Sequence, residues 1–437
     1  MSKAYTTAKF CGNDKYVNIN NKYRKRNIKM NIPKPKEYIK KFEKLGFGMF
    51  VHFGLYSLLE SGEWTAKLNG VPENEYKALM QKFDPQNISD IVKTAKSGGA
   101  KYIVITTRHH DGFSLYDTCG LNDFDAPHSA ARRDIIAEFV DECRKNDIIP
   151  FFYHTTLEFW NKEFDIDFKA YLSYLRESIK ILCTKYGKIG GFWFDGNWSK
   201  ADEDWEEDKL YGLIRKYQPE AMIINNTGLN KLGEIGNQEI DSVTFERGKP
   251  FLLNRDGAEK YVAAEVCDSV NNHWGIAKDV NYKSSAQLIK KLCESRKVGA
   301  NFLLNVGPDA NGTVPNLPKA LFEVIGEWID VFGEAIYDAK PYWLSDDTDN
   351  FVLKNGNNLY FFCYDLCRRG SENVVYAGGK EGNFVFDGFK DKIKEIHWMD
   401  NDEKLDFYYN QNDLTVNFTG YDYGSDWVVR VGKATIQ

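Results

Sequence analysis

Acidic, basic and aromatic side chains occur at the ends of eight short apolar runs in this sequence. Asp195 closes the run GFWFD, and His109 and His110 follow the run YIVITT. A carboxylate beside aromatic residues at the end of a buried strand is destabilising unless it is paired or used, so Asp195 is a candidate for chemistry. Four of the seven histidines end such runs, which predicts that the runs converge on one site. The residues at the eight ends are His52, Phe53, Arg108, His109, His110, Asp111, Tyr153, His154, Trp193, Asp195, Asn225, Asn226, Glu246, Arg247, Glu265 and Asn305.

Metal-assisted hydrolysis is one chemistry that a histidine-rich set could perform. Its expected signature is two histidines separated by one residue at the first run, but the segment here reads His52-Phe53-Gly54. His109 and His110 are adjacent, and adjacent residues of a strand point to opposite faces, so we expect that they do not share one ion. We therefore predict a site without a metal or another cofactor.

Glycoside hydrolysis is the second chemistry, and it needs two carboxyl groups on either side of the scissile bond. Asp195 supplies one of them. Glu246 and Glu265 close the sixth and seventh runs, so either glutamate could face Asp195 across the mouth of the fold. The aromatic and imidazole side chains at the other run ends are suited to holding a sugar.

The elements that would position these residues have the pattern of a parallel barrel. Eight apolar runs alternate with amphipathic stretches over about 300 residues, a strand number and size typical of a (β/α)8 barrel. Chemistry in such a barrel takes place at the carboxyl ends of the strands. The predicted strands are 48–54, 102–107, 149–154, 191–196, 222–226, 242–247, 262–267 and 302–307, and the predicted helices are 90–97, 134–146, 168–186, 207–217, 286–298 and 319–332.

Changes in the sequence pattern divide the chain into three parts. Residues 1–33 are polar and basic and end at a pair of prolines, which indicates an N-terminal tail. Residues 34–344 contain the α/β pattern of the predicted catalytic barrel. From 345 to 437 the pattern changes to alternation, and Asn355-Gly356 between two such runs is a strong hairpin signal. We therefore predict a C-terminal all-β sandwich after the barrel.

Composition excludes several classes of protein. The formal net charge is −6, which argues against a nucleic-acid partner. No stretch approaches the length of apolar residues that spans a bilayer, so we expect no membrane association, and no signal peptide is evident. The eight cysteines are too sparse for a disulfide framework, which indicates a cytoplasmic protein. Oligomeric state does not follow from these features.

Several segments of the chain resemble the α-L-fucosidases of glycoside hydrolase family 29. The resemblance extends from about residue 37 to the end of the chain, and the order and spacing of the segments also agree with that family. The matching segments are FGMFVHFGLYS at 47–57, GEW at 62–64, YIVITTRHHDGFSLYDT at 102–118, RRDII at 132–136, FWFDGNW at 192–198, NNHWG at 271–275 and NFLLNVGPDANG at 301–312.

The resemblance implies a retaining, exo-acting glycosidase that removes terminal α-linked L-fucose from glycans without a metal. By similarity, Asp195 is the nucleophile. A glutamate is the acid/base, and we favour Glu246 over Glu265 because many relatives have Trp-Glu where this chain has Ala264-Glu265. The implied fucose-binding set is His52, Glu63, Trp64, His109, His110, Tyr153 and Trp193.

Other functions remain open at this level. A metal-dependent barrel hydrolase would use the histidines as ligands. A catalytically silent fucose-binding protein would lack one of the two carboxyl groups, whereas Asp195 and two candidate glutamates are present. A related sugar could also replace fucose in a similar pocket.

Overall fold

A computed structural model describes residues 31–370, 373–374 and 378–437 of the chain. Most of the predicted tail, residues 1–30, lies outside this range. The eight apolar runs form a closed barrel of parallel strands that pair in sequence order, with the last strand pairing with the first. The strands are β1 Phe47–Val51, β2 Tyr102–Arg108, β3 Ile149–Thr155, β4 Gly191–Asp195, β5 Met222–Asn225, β6 Ser242–Glu246, β7 Ala263–Ser269 and β8 Asn301–Val306.

Helices surround the barrel and explain why the strands read as continuous apolar runs. A strand with the barrel interior on one face and a helix on the other is buried on both sides, and β1, β2, β7 and β8 are buried at every residue. The side chains of Asp134 and Ser284 cap two of the helices by accepting from the backbone N–H of Ala137 and Gln287. The helices are Glu37–Glu43, Thr65–Leu68, Glu73–Ala78, Ile88–Ser97, Ile135–Lys145, Glu163–Ile166, Phe168–Lys185, Glu207–Tyr217, Ser285–Lys297, Asn316–Phe332 and Glu334–Tyr337, with 3₁₀ turns at Leu55–Leu58, Leu79–Lys82, Ala126–His128 and Asn197–Lys200.

Two antiparallel sheets follow the barrel, as the change of sequence period predicts. Their strands are β9 Lys340–Trp343, β10 Phe351–Asn355, β11 Asn358–Tyr364, β12 Gly382–Phe386, β13 Ile393–Trp398, β14 Phe407–Asn410, β15 Asp413–Phe418 and β16 Val429–Ile436. One sheet has five strands in the order β13-β16-β11-β10-β9, and the other has three in the order β12-β15-β14. Aromatic side chains from both sheets pack in the layer between them, including Phe361 against Phe386. The first strand, β9, begins at Lys340, earlier than the boundary drawn at residue 345.

The barrel and the five-stranded sheet share one hydrophobic core. Phe351 and Phe362, which lie on β10 and β11, belong to the same buried cluster as the barrel residues and the helix Asn316–Phe332. On that helix, the Trp328 indole N–H donates to the backbone carbonyl of Val429 at 2.9 Å. The C-terminal sheets are therefore packed onto the barrel through an apolar interface. Within the described residues, no helix has the length and apolar character needed to cross a membrane.

Candidate active site

A pocket of about 530 Å³ opens at the carboxyl ends of the barrel strands. This is the end of the barrel at which the sequence places the chemistry. Aromatic rings, imidazoles and two carboxylates form most of its surface. It is lined by Phe50, His52, Trp64, His109, His110, Tyr153, Trp193, Asp195, Trp198, Ala201, Asn226, residues 227–231, Glu246 and Trp274.

Asp195, the last residue of β4, is held by four neighbours. One carboxylate oxygen, Oδ2, accepts from the Tyr153 hydroxyl at 3.0 Å and lies 3.5 Å from His110 Nε2. The other, Oδ1, accepts from Trp198 Nε1 at 2.8 Å and from Asn226 Nδ2 at 3.2 Å. The chain can turn sharply after Asp195 because Gly196, at φ +124°, has no Cβ to clash with residues 156–157. The carboxylate is thus fixed by hydrogen bonds on both oxygens.

Asn226 links Asp195 to Glu246. Its Nδ2 also donates to Glu246 Oε2 at 2.7 Å. Its own oxygen accepts from the Gly228 backbone N–H and from the Thr244 hydroxyl, which sets the amide so that its NH₂ group faces the two carboxylates. Asn226 Nδ2 lies 3.2 Å from Asp195 Oδ1 and 2.7 Å from Glu246 Oε2. These two oxygens are therefore less than about 6 Å apart.

The surroundings shift the pKa values of these two carboxyl groups in opposite directions. Burial acts to raise the pKa of Asp195, but the hydrogen bonds from His110, Trp198 and Tyr153 and the charge of His110 outweigh it, and the net pKa falls below the usual value. Burial, followed by repulsion from the Asp195 charge, raises the pKa of Glu246 to about 7. At neutral pH one group is ionised and the other holds a proton for much of the time, which is the division of roles that acid/base catalysis needs.

His52 is held in one tautomer. The Asn305 amide nitrogen donates to the Trp274 carbonyl at 2.7 Å, so its oxygen accepts from His52 Nδ1, also at 2.7 Å. Burial lowers the pKa of His52 to about 4, and the ring is neutral at pH 7. Its Nε2 is therefore a hydrogen-bond acceptor at the wall of the pocket.

His109 and His110 both line the pocket, with ring centroids 4.2 Å apart, so the expectation that they point to opposite sides is wrong. The physical reason is that β2 ends at Arg108, and strand alternation does not continue into the loop that holds the two histidines. The Thr155 hydroxyl donates to the Leu157 carbonyl, so its oxygen accepts from His110 Nδ1 at 2.7 Å. Burial, with a further lowering by the neighbouring imidazoles of His110 and His52, holds the pKa of His109 well below its usual range. His109 Nδ1 is buried without a hydrogen-bond partner among the described residues.

Glu265 is not brought to the pocket, and it does not end its strand. It is the third residue of β7, a strand that continues to Ser269, and its side chain points into the barrel interior with no exposed surface. There it accepts from the Tyr102 hydroxyl at 2.5 Å and from Trp193 Nε1 at 2.9 Å, and burial raises its pKa to about 7. Glu265 supports Trp193 in the wall of the pocket from below.

Of the two remaining predicted binding residues, Trp64 lines the pocket and Glu63 does not. Trp64 lines the pocket with its ring 5.2 Å from that of His110. Glu63 lies beneath this wall, where Oε2 accepts from the backbone N–H groups of Trp274 and Gly275 at 3.2 and 2.8 Å. Glu63 therefore fixes the loop that places Trp274 in the pocket.

His154 does not take part in the pocket, although its run end predicts that it converges with the other histidines. It is buried, with Nδ1 2.7 Å from the Thr155 carbonyl and Nε2 3.4 Å from the Tyr116 hydroxyl. Arg108 is also buried, in an ion pair with Glu158 at 2.9 Å. Both residues are structural, which leaves three histidines in the pocket instead of four.

The pocket residues that are missing from the predicted binding set include Asn226, Trp198 and Trp274. Each had a signal in the sequence, because Asn226 ends the fifth run and the tryptophans belong to FWFDGNW and NNHWG. Among the described residues, no three His, Cys, Asp or Glu side chains are grouped as the ligands of one metal ion. Independence from metals stays a prediction.

A parallel eight-stranded barrel with two carboxyl groups in an aromatic pocket at its carboxyl end is the arrangement of a glycoside hydrolase. A family model for alpha-L-fucosidase matches residues 14–334. The chain belongs to the alpha-L-fucosidase family.

Individual relatives agree with this assignment. The putative alpha-L-fucosidase of Caenorhabditis elegans is 26% identical over 69% of this chain and 67% of its own length, and the tissue alpha-L-fucosidase of Homo sapiens is 25% identical over 73% and 74%. Among solved structures, alpha-L-fucosidase isoenzyme 1 from Paenibacillus thiaminolyticus has a TM-score of 0.79 at 28% identity, covering 92% of this chain and 99% of that one. A Bacteroides thetaiotaomicron alpha-L-fucosidase, solved as a trapped covalent intermediate, shares the fold with a TM-score of 0.76 at 21% identity, over 94% and 100% of the two chains. The predicted barrel with a C-terminal β-sandwich is confirmed.

Proposed function

We propose that this protein is a retaining, exo-acting α-L-fucosidase that hydrolyses terminal α-linked L-fucose from fucosylated glycans. Asp195 is the nucleophile and Glu246 the acid/base. The observation that carries this proposal is the contact of Asn226 Nδ2 with both carboxyl groups. The two oxygens that Asn226 contacts are less than about 6 Å apart, which is compatible with the separation of about 5 to 5.5 Å between the carboxyl groups of retaining enzymes.

In the first step, Asp195 attacks the anomeric carbon as the bond from that carbon to the leaving oxygen breaks, and Glu246 gives its proton to that oxygen. The products are a fucosyl ester of Asp195, an ionised Glu246 and a free alcohol. Esterification removes the charge of Asp195, which is one cause of the raised pKa of Glu246. The pKa of Glu246 therefore falls, and the group becomes suited to act as a base.

In the second step, Glu246 withdraws a proton from water while the water oxygen attacks the anomeric carbon and the ester bond breaks. Asp195 leaves as a carboxylate, which the hydrogen bonds from Tyr153, Trp198 and Asn226 stabilise. Two inversions at the same carbon give net retention.

The rest of the pocket is suited to a 6-deoxy sugar. The rings of Phe50, Tyr153 and Trp193 offer an apolar wall to a methyl group, with Tyr153 and Trp193 stacked at 5.8 Å. His52 and His109 are neutral and offer ring nitrogens to hydroxyl groups. Phe50, Tyr153 and Trp193 are buried and close the base of the pocket, which supports an exo mode of action.

The activity itself is the first prediction. Among a panel of aryl glycosides, we expect the α-L-fucoside to be the preferred substrate, and proton NMR of the first product formed should show α-L-fucose before mutarotation. Activity should survive dialysis against EDTA, because the proposed steps use only the two carboxyl groups. An initial β-fucose product would contradict the retaining mechanism. Absence of α-L-fucoside turnover by folded protein would contradict the function.

The pH dependence of kcat/KM follows from the two pKa shifts. Glu246 must be protonated to act as an acid, so kcat/KM should fall as pH rises through its pKa of about 7. Asp195 must be ionised, and because its pKa is lowered, the acidic limb should lie below the usual range of an aspartate. A pH profile with an aryl α-L-fucoside measures both limbs. The basic limb should be absent in Glu246→Gln, and its persistence there would assign it to another group.

Replacement of Asn226 by alanine should lower kcat about 10- to 100-fold, because both carboxyl groups lose a shared donor that fixes their separation. The hydrogen bond from Asn226 favours the charged form of Glu246, so its removal should move the basic limb of the pH profile to higher pH. The thermal midpoint, measured in parallel, reports folding. If kcat falls but the pH profile does not shift, Asn226 has only a structural role.

A further inference from the structure

A second cavity opens beside the pocket that contains Asp195. It has a volume of about 660 Å³ and lies between residues 197–209, which follow β4, and residues 225–240, which follow β5. We call it the side cavity. It shares Trp198, Ala201, Asn226, Thr227 and Lys231 with the catalytic pocket, so the two cavities adjoin at these residues.

Two of the shared residues, Trp198 and Lys231, lie where a substrate must leave the catalytic pocket. Phe50, Tyr153 and Trp193 are buried and close the base of that pocket, whereas Trp198 and Lys231 are exposed at its rim. An exo-acting enzyme holds one terminal sugar in the pocket and leaves the remainder of the glycan outside it. That remainder passes over the rim at which the side cavity begins.

The wall of the side cavity offers an aromatic platform. Trp198 is 40% exposed, a large value for a tryptophan in a concave site. The indole N–H of Trp198 donates to Asp195 Oδ1 at 2.8 Å. This hydrogen bond holds the ring in place, and the face of the ring stays exposed. A fixed, exposed indole is suited to packing against the apolar face of a sugar ring.

The same wall contains a buried acceptor without a partner. Asn225 is 8% exposed and lines the side cavity, and its Nδ2 donates to the Tyr211 hydroxyl at 2.8 Å. Its Oδ1 has no hydrogen-bond partner among the described residues. Glu207, next to it, accepts from Asn197 Nδ2 at 2.8 Å. Buried acceptors of this kind are normally satisfied by a donor, and a ligand hydroxyl or a water held by it supplies one.

The charges of the lining residues limit the kinds of ligand that the side cavity can bind. Six carboxylates but only two lysines line the side cavity, so its potential opposes an anionic group. Hydroxyl groups, in contrast, can donate to carboxylates and amides without any charge of their own. The lining carboxylates are Glu203, Asp204, Glu206, Glu207, Asp208 and Glu234, and the lysines are Lys209 and Lys231.

We infer that the side cavity binds the leaving-group saccharide, and that it selects neutral sugars over sialylated or sulfated ones. The inference rests on the proposed fucosidase function and extends it from the fucose ring to the remainder of the glycan. The cavity volume of about 660 Å³ lies within the usual range for small-molecule sites.

Gly236 allows the side cavity to be filled without altering the catalytic pocket. It lines only the side cavity, is exposed, and a Cβ added there meets no atom within 4 Å. The substitution to test is Gly236→Trp. Gly212→Trp is the matched control, since Gly212 is also exposed, has equal room for a Cβ and lines neither cavity.

The first readout compares 2′- and 3-fucosyllactose with an aryl α-L-fucoside, whose small leaving group does not fill the side cavity. Gly236→Trp should lower kcat/KM for the fucosyllactoses about tenfold or more, mainly through KM, and leave the aryl fucoside within about twofold. Gly212→Trp should change neither. Equal effects on both kinds of substrate, or no effect on the fucosyllactoses, would overturn the inference. If wild-type protein does not hydrolyse the aryl fucoside, the proposed function fails instead.

Two further measurements make the inference independent of linkage preference. Calorimetry should show that lactose, the leaving group itself, binds wild-type protein and binds Gly236→Trp about tenfold more weakly. No lactose binding to wild type would overturn the inference.

Glu234→Lys should raise kcat/KM for 3′-sialyl-3-fucosyllactose relative to 3-fucosyllactose severalfold, because it removes a negative charge at the exposed edge of the cavity. An unchanged ratio would contradict the selection against anions.

Discussion

Replacement of Asp195 by alanine is expected to lower kcat for an aryl α-L-fucoside by about three orders of magnitude or more, because the covalent step loses its nucleophile. Sodium azide should restore part of the activity by entering the space of the missing carboxylate. Azide then attacks the anomeric carbon directly in one displacement, so the product should be β-L-fucosyl azide, with inverted configuration. Mass spectrometry and NMR identify the product and its configuration.

A matched control for this variant is Asp268→Asn. Asp268 is a buried carboxylate on β7 that pairs with Lys283 at 3.0 Å and does not line the pocket. We expect it to keep kcat within about threefold and to gain nothing from azide. Asp195→Ala with activity within tenfold of wild type, or an azide product of retained configuration, would remove Asp195 from the role of nucleophile.

Glu246→Ala is expected to show the second large effect, and the size of that effect should depend on the leaving group. An aryl fucoside with a poor leaving group should lose about 100-fold or more in kcat/KM, whereas an activated dinitrophenyl fucoside needs little protonation and should lose much less. Azide should accelerate the variant by attacking the Asp195 ester, which gives α-L-fucosyl azide with retained configuration. This variant still contains the nucleophile, so the two azide products distinguish the roles.

Glu265→Gln is the variant that tests which of the two glutamates is the acid/base. Glu265 is fully buried and contacts Tyr102 and Trp193, so we expect its replacement to lower the thermal midpoint and to reduce activity equally for good and poor leaving groups. Azide should have no effect on this variant. Rescue of a Glu265 variant but not of a Glu246 variant would reverse the assignment that we propose.

The barrel could be predicted from sequence because its strands are buried on both faces. Such strands appear as unbroken apolar runs, and each of the eight runs corresponds to a strand whose bounds differ by only a few residues. The position of Asp195 could be predicted for a related reason. A carboxylate between GFWF and a glycine is expected at the end of a buried strand, and Asp195 lies there.

The sequence could not settle which way individual side chains point. Glu265 and His154 both follow apolar residues, yet one faces the barrel interior and the other packs against Tyr116 outside the pocket. Their partners are distant in sequence, as Trp193 is from Glu265, and no local pattern contains such a pairing. The contact of Asn226 with both carboxyl groups is likewise a property of three strand ends that only the closed barrel brings together.

The apolar layer between the barrel and the five-stranded sheet has a consequence for cooperativity and for protein engineering. Because Phe351 and Phe362 belong to the same core as the barrel, separating the two parts would expose a hydrophobic face to water. The two parts are thus expected to melt in a single transition and not as independent modules. A minimal enzyme made by truncation before Lys340 would consequently be prone to aggregate, and exchange of the β-sandwich between relatives would require the helix Asn316–Phe332 to be exchanged with it.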